Sequence, residues 1–165
     1  MITIYLNNFN RDINQAIYDD EINKLNINRI QCPKCHQHHM IKHAYYSRRV
    51  KTKKSAISLI VLRVKCKECN STHAILPSAI IPYSSIQYKD QLRIIKNKNL
   101  KELMIDNIYI DESDISRVKR NYNKHFKQML IANRIILNNE LIINCFNCFN
   151  RNFNQIKCGY NILLI

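Results

Sequence analysis

Two Cys-x-x-Cys pairs, Cys32-Pro-Lys-Cys35 and Cys66-Lys-Glu-Cys69, stand with thirty residues between them. Thiolates at that spacing are the ligand set of a closed tetrahedral zinc site. Four sulfurs leave no open coordination position, so the expected cofactor is one structural Zn2+ ion and not a catalytic one. Each pair must wrap its backbone tightly around the metal, which favours positive φ just after the second cysteine. Glycine ordinarily fills that place; this chain has a single glycine and puts His36 and Asn70 there. Asn, Asp and His are the other residues enriched in that conformation. Pro33 is compatible with a fixed turn. Two disulfides or four buried thiols are the competing uses. Disulfides need an oxidising compartment, and the start, MITIYLNNFNRDINQ, lacks the basic-then-apolar order of a signal peptide, so a cytoplasmic location is expected. His73 beside the second pair, and His36, His38, His39 and His43 around the first, are ligand types too, but four sulfurs already suffice.

The charge indicates what such a site serves. The 165 residues carry 26 Lys and Arg against 12 Asp and Glu, a formal charge of +14. Between Gln31 and Pro82 there are ten basic residues and one acid, Glu68. A metal-stapled, strongly basic small protein is first a nucleic-acid-binding candidate. Lys, Asn and Ile dominate as in proteins of AT-rich genomes, so single Asn or Lys residues carry little weight while the balance of charge does. A hydrophobic share of 46% supports a core in one domain or two small ones. The longest apolar run, Ala56 to Leu62, includes Ser58 and is far too short to cross a bilayer. Membrane-surface binding would call for a basic amphipathic helix, whereas the excess here surrounds the knuckles.

Elements able to position these groups follow from periodicity. Residues 1–30 read as a strand, Ile2 to Leu6, and a helix between Asp12 and Asn26. Its acids, Asp12, Asp19, Asp20 and Glu21, are expected on a face turned from any phosphate backbone. Residues 31–82 read as a zinc ribbon. Met40 to Val50 and Ala56 to Lys65 form its strands, and a basic tip carries Lys51, Lys53 and Lys54 beside Arg48 and Arg49. The tip either grips phosphate or is a solvated turn. Pro77 and Pro82 argue for an extended connector. Residues 83–137 read as helices: Tyr88 to Lys98 with Leu92 and Ile95 inward, then Leu100 to Asp106. After a break at Asn107 to Asp111 comes a helix capped by Asp111 or Ser113 that buries Ile115, Val118 and Tyr122. Short helix, turn and longer helix is the helix-turn-helix order. Its outward face would show Ser113, Ser116, Arg117, Arg120 and Lys124, with Lys119 on the flank; these types suit phosphates and base edges. An ordinary basic solvent face is the alternative. Residues 138–165 read as a core helix, through Ile142, Cys145, Phe146, Phe149, Phe153 and Ile156, and a strand from Asn161 to Ile165. Cys145, Cys148 and Cys158 are expected as small buried hydrophobes, not a second metal site.

The run Cys32-Pro-Lys-Cys35, Lys42-His43-x-Tyr45-x-x-Arg48, and Leu62-Arg-Val-Lys-Cys66-Lys-x-Cys69-x-x-Thr72-His-Ala-Ile-Leu-Pro77 resembles a family of small, uncharacterised bacterial proteins linked to mobile elements. That family is similar in turn to the N-terminal zinc-binding and helix-turn-helix part of insertion-sequence transposases. The Ile81-Pro82-Tyr83 exit and the Phe-rich ending share the resemblance. It implies zinc binding and DNA binding. Transposases of this kind add a catalytic domain whose carboxylates hold two metal ions; with twelve acids in all, this chain resembles the recognition part alone.

The expectation is therefore an α+β protein, a four-cysteine zinc ribbon followed by a helix-turn-helix domain, that binds double-stranded DNA and is not an enzyme. Two alternatives remain. An RNA-binding protein would show exposed aromatics, for which Tyr45 and Tyr46 are the adjacent pair near the tip. An interaction module would dock on a polymerase or a transposase.

Overall fold

A computed structural model describes residues 1–6, 12–97, 99–106, 108–157 and 159–165. Among these, five strands form one sheet: β1 (Ile2–Ile4), β2 (Met40–Lys51), β3 (Ala56–Cys66), β4 (Thr72–Pro77) and β5 (Ile162–Leu164). Their order is β2-β3-β4-β1-β5. The long hairpin places Met40 opposite Cys66 at one end and Lys51 opposite Ala56 at the other. A register shift between Lys42 and Ala44 sets His43 out of the ladder, as a bulge does. β4 runs antiparallel to β3, while β1 is parallel to both β4 and β5. The expected ribbon strands thus form one side of a larger sheet, and the two terminal strands form the other.

Helix α1 (Gln15–Asn23) starts where the Asn14 side chain accepts from the Ile17 N–H, a side-chain cap. Its buried Tyr18 hydroxyl donates to Ile75 O at 3.0 Å and accepts from Leu62 N–H at 2.8 Å, which pins the helix across β3 and β4. Tyr18 and Ile22 share one apolar cluster with Met40, Leu62 and the thiols Cys32 and Cys66. Asp20 and Glu21 pair with Lys24 at the surface. Asp12 turns elsewhere: it pairs with Lys89 and accepts from Gln87, both on the helical side.

The helices are α2 (Tyr88–Lys96), α3 (Leu100–Asp106), α4 (Glu112–Asn121), α5 (Lys127–Ala132) and α6 (Leu141–Phe149). Lys98, the expected end of the first helix, and Asn107 lie outside the described residues, while residues 108–111 are non-helical, as expected of the break. In α2 the buried face is Tyr88, Asp90, Gln91 and Ile94, while Leu92 and Ile95, expected inward, are half-buried. Hydrogen bonding explains the difference. Gln91 donates to Ile86 O and accepts from Asn154, so a polar side chain holds the inner position that apolar periodicity assigns to its neighbour. Ile115 and Val118 of α4 are buried against Ile86, Ile94, Leu103 and Ile110. Tyr122 is half-buried and packs in another cluster, with Phe126 and Phe153. A π-helical turn, Tyr122–Phe126, joins α4 to α5 and breaks the 3.6-residue period there.

The stripe expected as one helix to Ile156 stops at Phe149. Asn150 takes φ 51° and ends α6, as a left-handed cap does. Phe153 is fully buried from the turn that follows, its ring 5.8 Å from Tyr88 and 5.9 Å from Phe126, whereas Ile156 is exposed. Cys145 is buried as expected, but Cys148 is exposed, because a step of three carries it past the edge of the apolar stripe. Cys158 lies outside the described residues. No helix among the described residues is long and apolar enough to cross a membrane.

Candidate metal centre and nucleic-acid interface

The two knuckles meet at the open end of the β2–β3 hairpin, and each is shaped by backbone bonds before any metal is considered. His36 N–H donates to Cys32 O, Cys32 N–H to Gln37 O and Cys66 N–H to Ser71 O. His36 and Asn70 adopt φ 61° and 57°, the positive values expected after each second cysteine. Cys32, Cys35, Cys66 and Cys69 bring their Sγ atoms within 4.8 Å of one another. The Cys32–Cys69 and Cys35–Cys66 pairs are 3.6 Å apart. Disulfide sulfurs would be about 2.0 Å apart, and all four are free thiols. Tetrahedral sulfurs bound at about 2.3 Å lie about 3.8 Å from each other. The four thiols therefore fit one metal ion.

Local hydrogen bonds favour thiolate at Cys69 and Cys32, whereas at Cys35 the Gln37 N–H is outweighed by burial and the neighbouring thiols, which push that thiol up to about 12. The Ser71 hydroxyl, 2.8 Å from Cys69 Sγ, is the main reason that the Cys69 thiol is pushed down to about 6. Burial pushes Cys32 up, yet the Cys35 backbone N–H and the Ser71 hydroxyl outweigh it and hold that thiol at about 7. His73 is a neighbour and stands outside the four-sulfur set. Its buried ring puts Nε2 3.5 Å from Cys32 Sγ and 3.0 Å from Ser71 Oγ. His38 contacts Arg29 O and His39 contacts Glu68, so both turn from the sulfurs. Ser71 was not singled out in the sequence; its place two residues after Cys69 is the signal that could have found it.

At the other end of the hairpin, the basic tip is docked on the helices. Lys51 N–H donates to Ser85 O, Gln87 N–H to Lys51 O, and Lys53 N–H to the buried Asp90 carboxylate at 3.0 Å. Lys51 Nζ reaches Asp114 at 2.6 Å and Asp111 at 3.4 Å. The Arg48 guanidinium donates to Ile81 O and Ser84 O. Of the basic side chains assigned to the tip, Arg49 and Lys54 are exposed while Arg48, Lys51 and Lys53 are partly buried. The tip is therefore more joint than free finger.

Helix α4 begins at Asp111, whose carboxylate accepts from the Asp114 N–H at 2.8 Å and from the Ser113 hydroxyl at 2.6 Å. Ser113, Ser116, Arg117 and Arg120 are exposed along it and Lys119 is half-buried. Arg117 bonds the Asp114 carboxylate, so its stem is oriented before any ligand arrives. Lys124 is exposed but sits in the π-helical turn, off the regular period of the other four. Periodicity identified the apolar face of α4, but it passed over Asp114, a buried acid one position before Ile115.

A four-thiol cluster at one end of a hairpin and a docked helical unit at the other define a small mixed α+β protein with a candidate metal site. The chain belongs to the family DUF6431, a domain of unknown function, whose model matches residues 32–118. That span opens on the first thiol and closes on Val118 of α4, so the cluster, the hairpin, α2, α3 and most of α4 fall within it. No curated protein and no solved structure matches the chain.

Proposed function

We propose that this protein is a zinc-stapled, double-stranded DNA-binding module, a transposase-like recognition part or an element-associated regulator that performs no catalytic step. In this reading the hairpin and knuckles are a zinc ribbon, and α3 with α4 forms the helix-turn-helix. The observation that carries it is α4 itself. It buries Ile115 and Val118 and leaves Ser113, Ser116, Arg117 and Arg120 exposed in a chain of charge +14.

Cys32, Cys35, Cys66 and Cys69 would hold the ion, which supplies cross-linking of the two knuckles and no chemistry on substrate. Arg117 and Arg120 are suited to the N7 and O6 acceptors of guanine in a major groove, and Ser113 and Ser116 to phosphate or base edges. Lys54 and Arg49 reach toward flanking phosphate, while Lys51 and Arg48 keep the hairpin fixed to the helices. Selection of bound sequences from random duplex DNA, with and without a zinc chelator, tests the reading. Enrichment that disappears on chelation is expected; no enrichment in either condition would overturn sequence-specific recognition.

A further inference from the structure

Beside the thiol cluster opens a cleft of about 400 Å³. Its walls include Lys34 from the first knuckle, Tyr46 and Arg48 from β2, Arg63 from β3, Tyr83 after β4 and Tyr160 before β5. Among the described residues, no Asp or Glu lines it. Two of the lining rings carry a cation over one face. The Arg63 guanidinium stands 5.1 Å over the Tyr46 ring, and Lys157 Nζ 5.4 Å over the Tyr83 ring. Arg48 adds a shielded Nε that has no hydrogen-bond partner among the described residues.

Tyr83 is the unusual member. Ser84 N–H donates to Ile81 O at 3.1 Å, closing a turn with Pro82 second and Tyr83 third. Tyr83 takes φ 63°, where such a turn favours glycine or asparagine. A bulky residue held there is strained, and strain of this kind gathers at ligand sites. The ring gains no burial in return: it is 61% exposed, and Tyr160 is 57% exposed.

We infer that this cleft binds an unpaired nucleotide of a single-stranded nucleic acid. The base stacks on the Tyr83 ring, on the face that Lys157 leaves open, with Tyr160 at its edge. Arg63 and Lys34, both exposed, hold the neighbouring phosphates. A positively charged groove with exposed rings is the usual means of holding single strands without base readout. The inference does not depend on α4.

Fluorescence anisotropy of the zinc-loaded full chain, with labelled oligodeoxythymidylate, oligouridylate and a paired duplex, tests it. Tyr83→Gly removes the ring and suits the positive φ, so the variant should still fold, which its Tm checks. Tyr83→Gly and Tyr160→Ala should each weaken single-strand binding about ten-fold and leave duplex binding unchanged. Arg117→Ala should do the reverse, so the duplex reading and this one fail separately. A loss on either single strand supports the cleft and identifies the sugar it takes. Absent single-strand binding in the parent, unchanged affinity in both tyrosine variants, or an equal loss on duplex and single strand would overturn it.

Discussion

Lys51 Nζ lies 2.6 Å from Asp114 Oδ2, and this contact joins the tip of the β2–β3 hairpin to the first turn of α4. The Asp114 side chain is 4% exposed and that of Lys51 18%. Arg117 takes the other oxygen of the same carboxylate. One buried acid thus fixes both the joint between sheet and helices and the stem of Arg117, the arginine proposed to contact a base. The backbone bonds from Lys51 and Lys53 to Ser85, Gln87 and Asp90 run alongside it. The hairpin thus carries the thiol cluster at one end and this joint at the other.

Lys51→Met keeps the aliphatic stem and removes the charge that faces Asp114. Hydrogen bonds to charged groups contribute about 1.5–3 kcal/mol, so urea denaturation should show a loss of that order. Lys54→Met, at an exposed site of the same tip, should change stability by less than about 0.5 kcal/mol. Equal losses in the two variants would mean that general charge at the tip, and not the joint, is what matters.

Metal removal should collapse the open end of the hairpin. Cys32 and Cys66 are core residues as well as candidate ligands, so the thiol cluster is also a packing centre. Elemental analysis should give one metal ion per chain, and chelation should lower the Tm sharply. His73→Ala should keep the ratio of one and weaken metal affinity about ten-fold, as loss of a group supporting a ligand does. A ratio that falls to zero in that variant would make His73 a ligand in its own right.

Much of this arrangement can be read from the chain because it rests on local rules. Knuckle spacing, the His36 and Asn70 substitutions, the alternating strands and the Asp111 cap each follow from a few adjacent residues. What escapes such reading depends on distant partners. Asp90 and Asp114 are buried because Lys53 N–H and Lys51 Nζ approach them across 37 and 63 positions. Gln91 turns inward because Asn154 meets it. The parallel pairing of β1 with β4 and β5 has no local signature at all. The break of α6 at Asn150 is hidden for the opposite reason: asparagine is so common here that a cap cannot be told from background.

Arg117→Ala should weaken binding to a selected duplex by about 1–3 kcal/mol and relax one base position. Asp114→Asn should have a weaker effect of the same kind, because it frees the Arg117 stem without removing the guanidinium. Lys54→Ala should instead lower the salt dependence with little change in sequence preference. Competition binding across single-base variants of the site separates these outcomes. An Arg117→Ala loss equal on every sequence would demote that residue to a phosphate contact.

Acid should loosen α4 through its cap. Asp111 is held well below the usual carboxylate range, chiefly by the Ser113 hydroxyl, then by the Asp114 N–H and the charge of Lys51. A carboxyl lowered in the folded state adds stability that is fully present above its unfolded value, about 3.9. That stability is lost as pH falls below this value toward the folded one. Asn caps a helix as well as Asp does, so Asp111→Asn isolates the charge. Tm measured from pH 7 down to pH 2 should show the parent more stable at neutral pH and the two proteins converging below about pH 4. Ser113→Ala should narrow the gap at neutral pH, since it removes the largest contributor to the shift. A difference that stays constant over the whole range would mean that Asp111 acts only as a neutral cap.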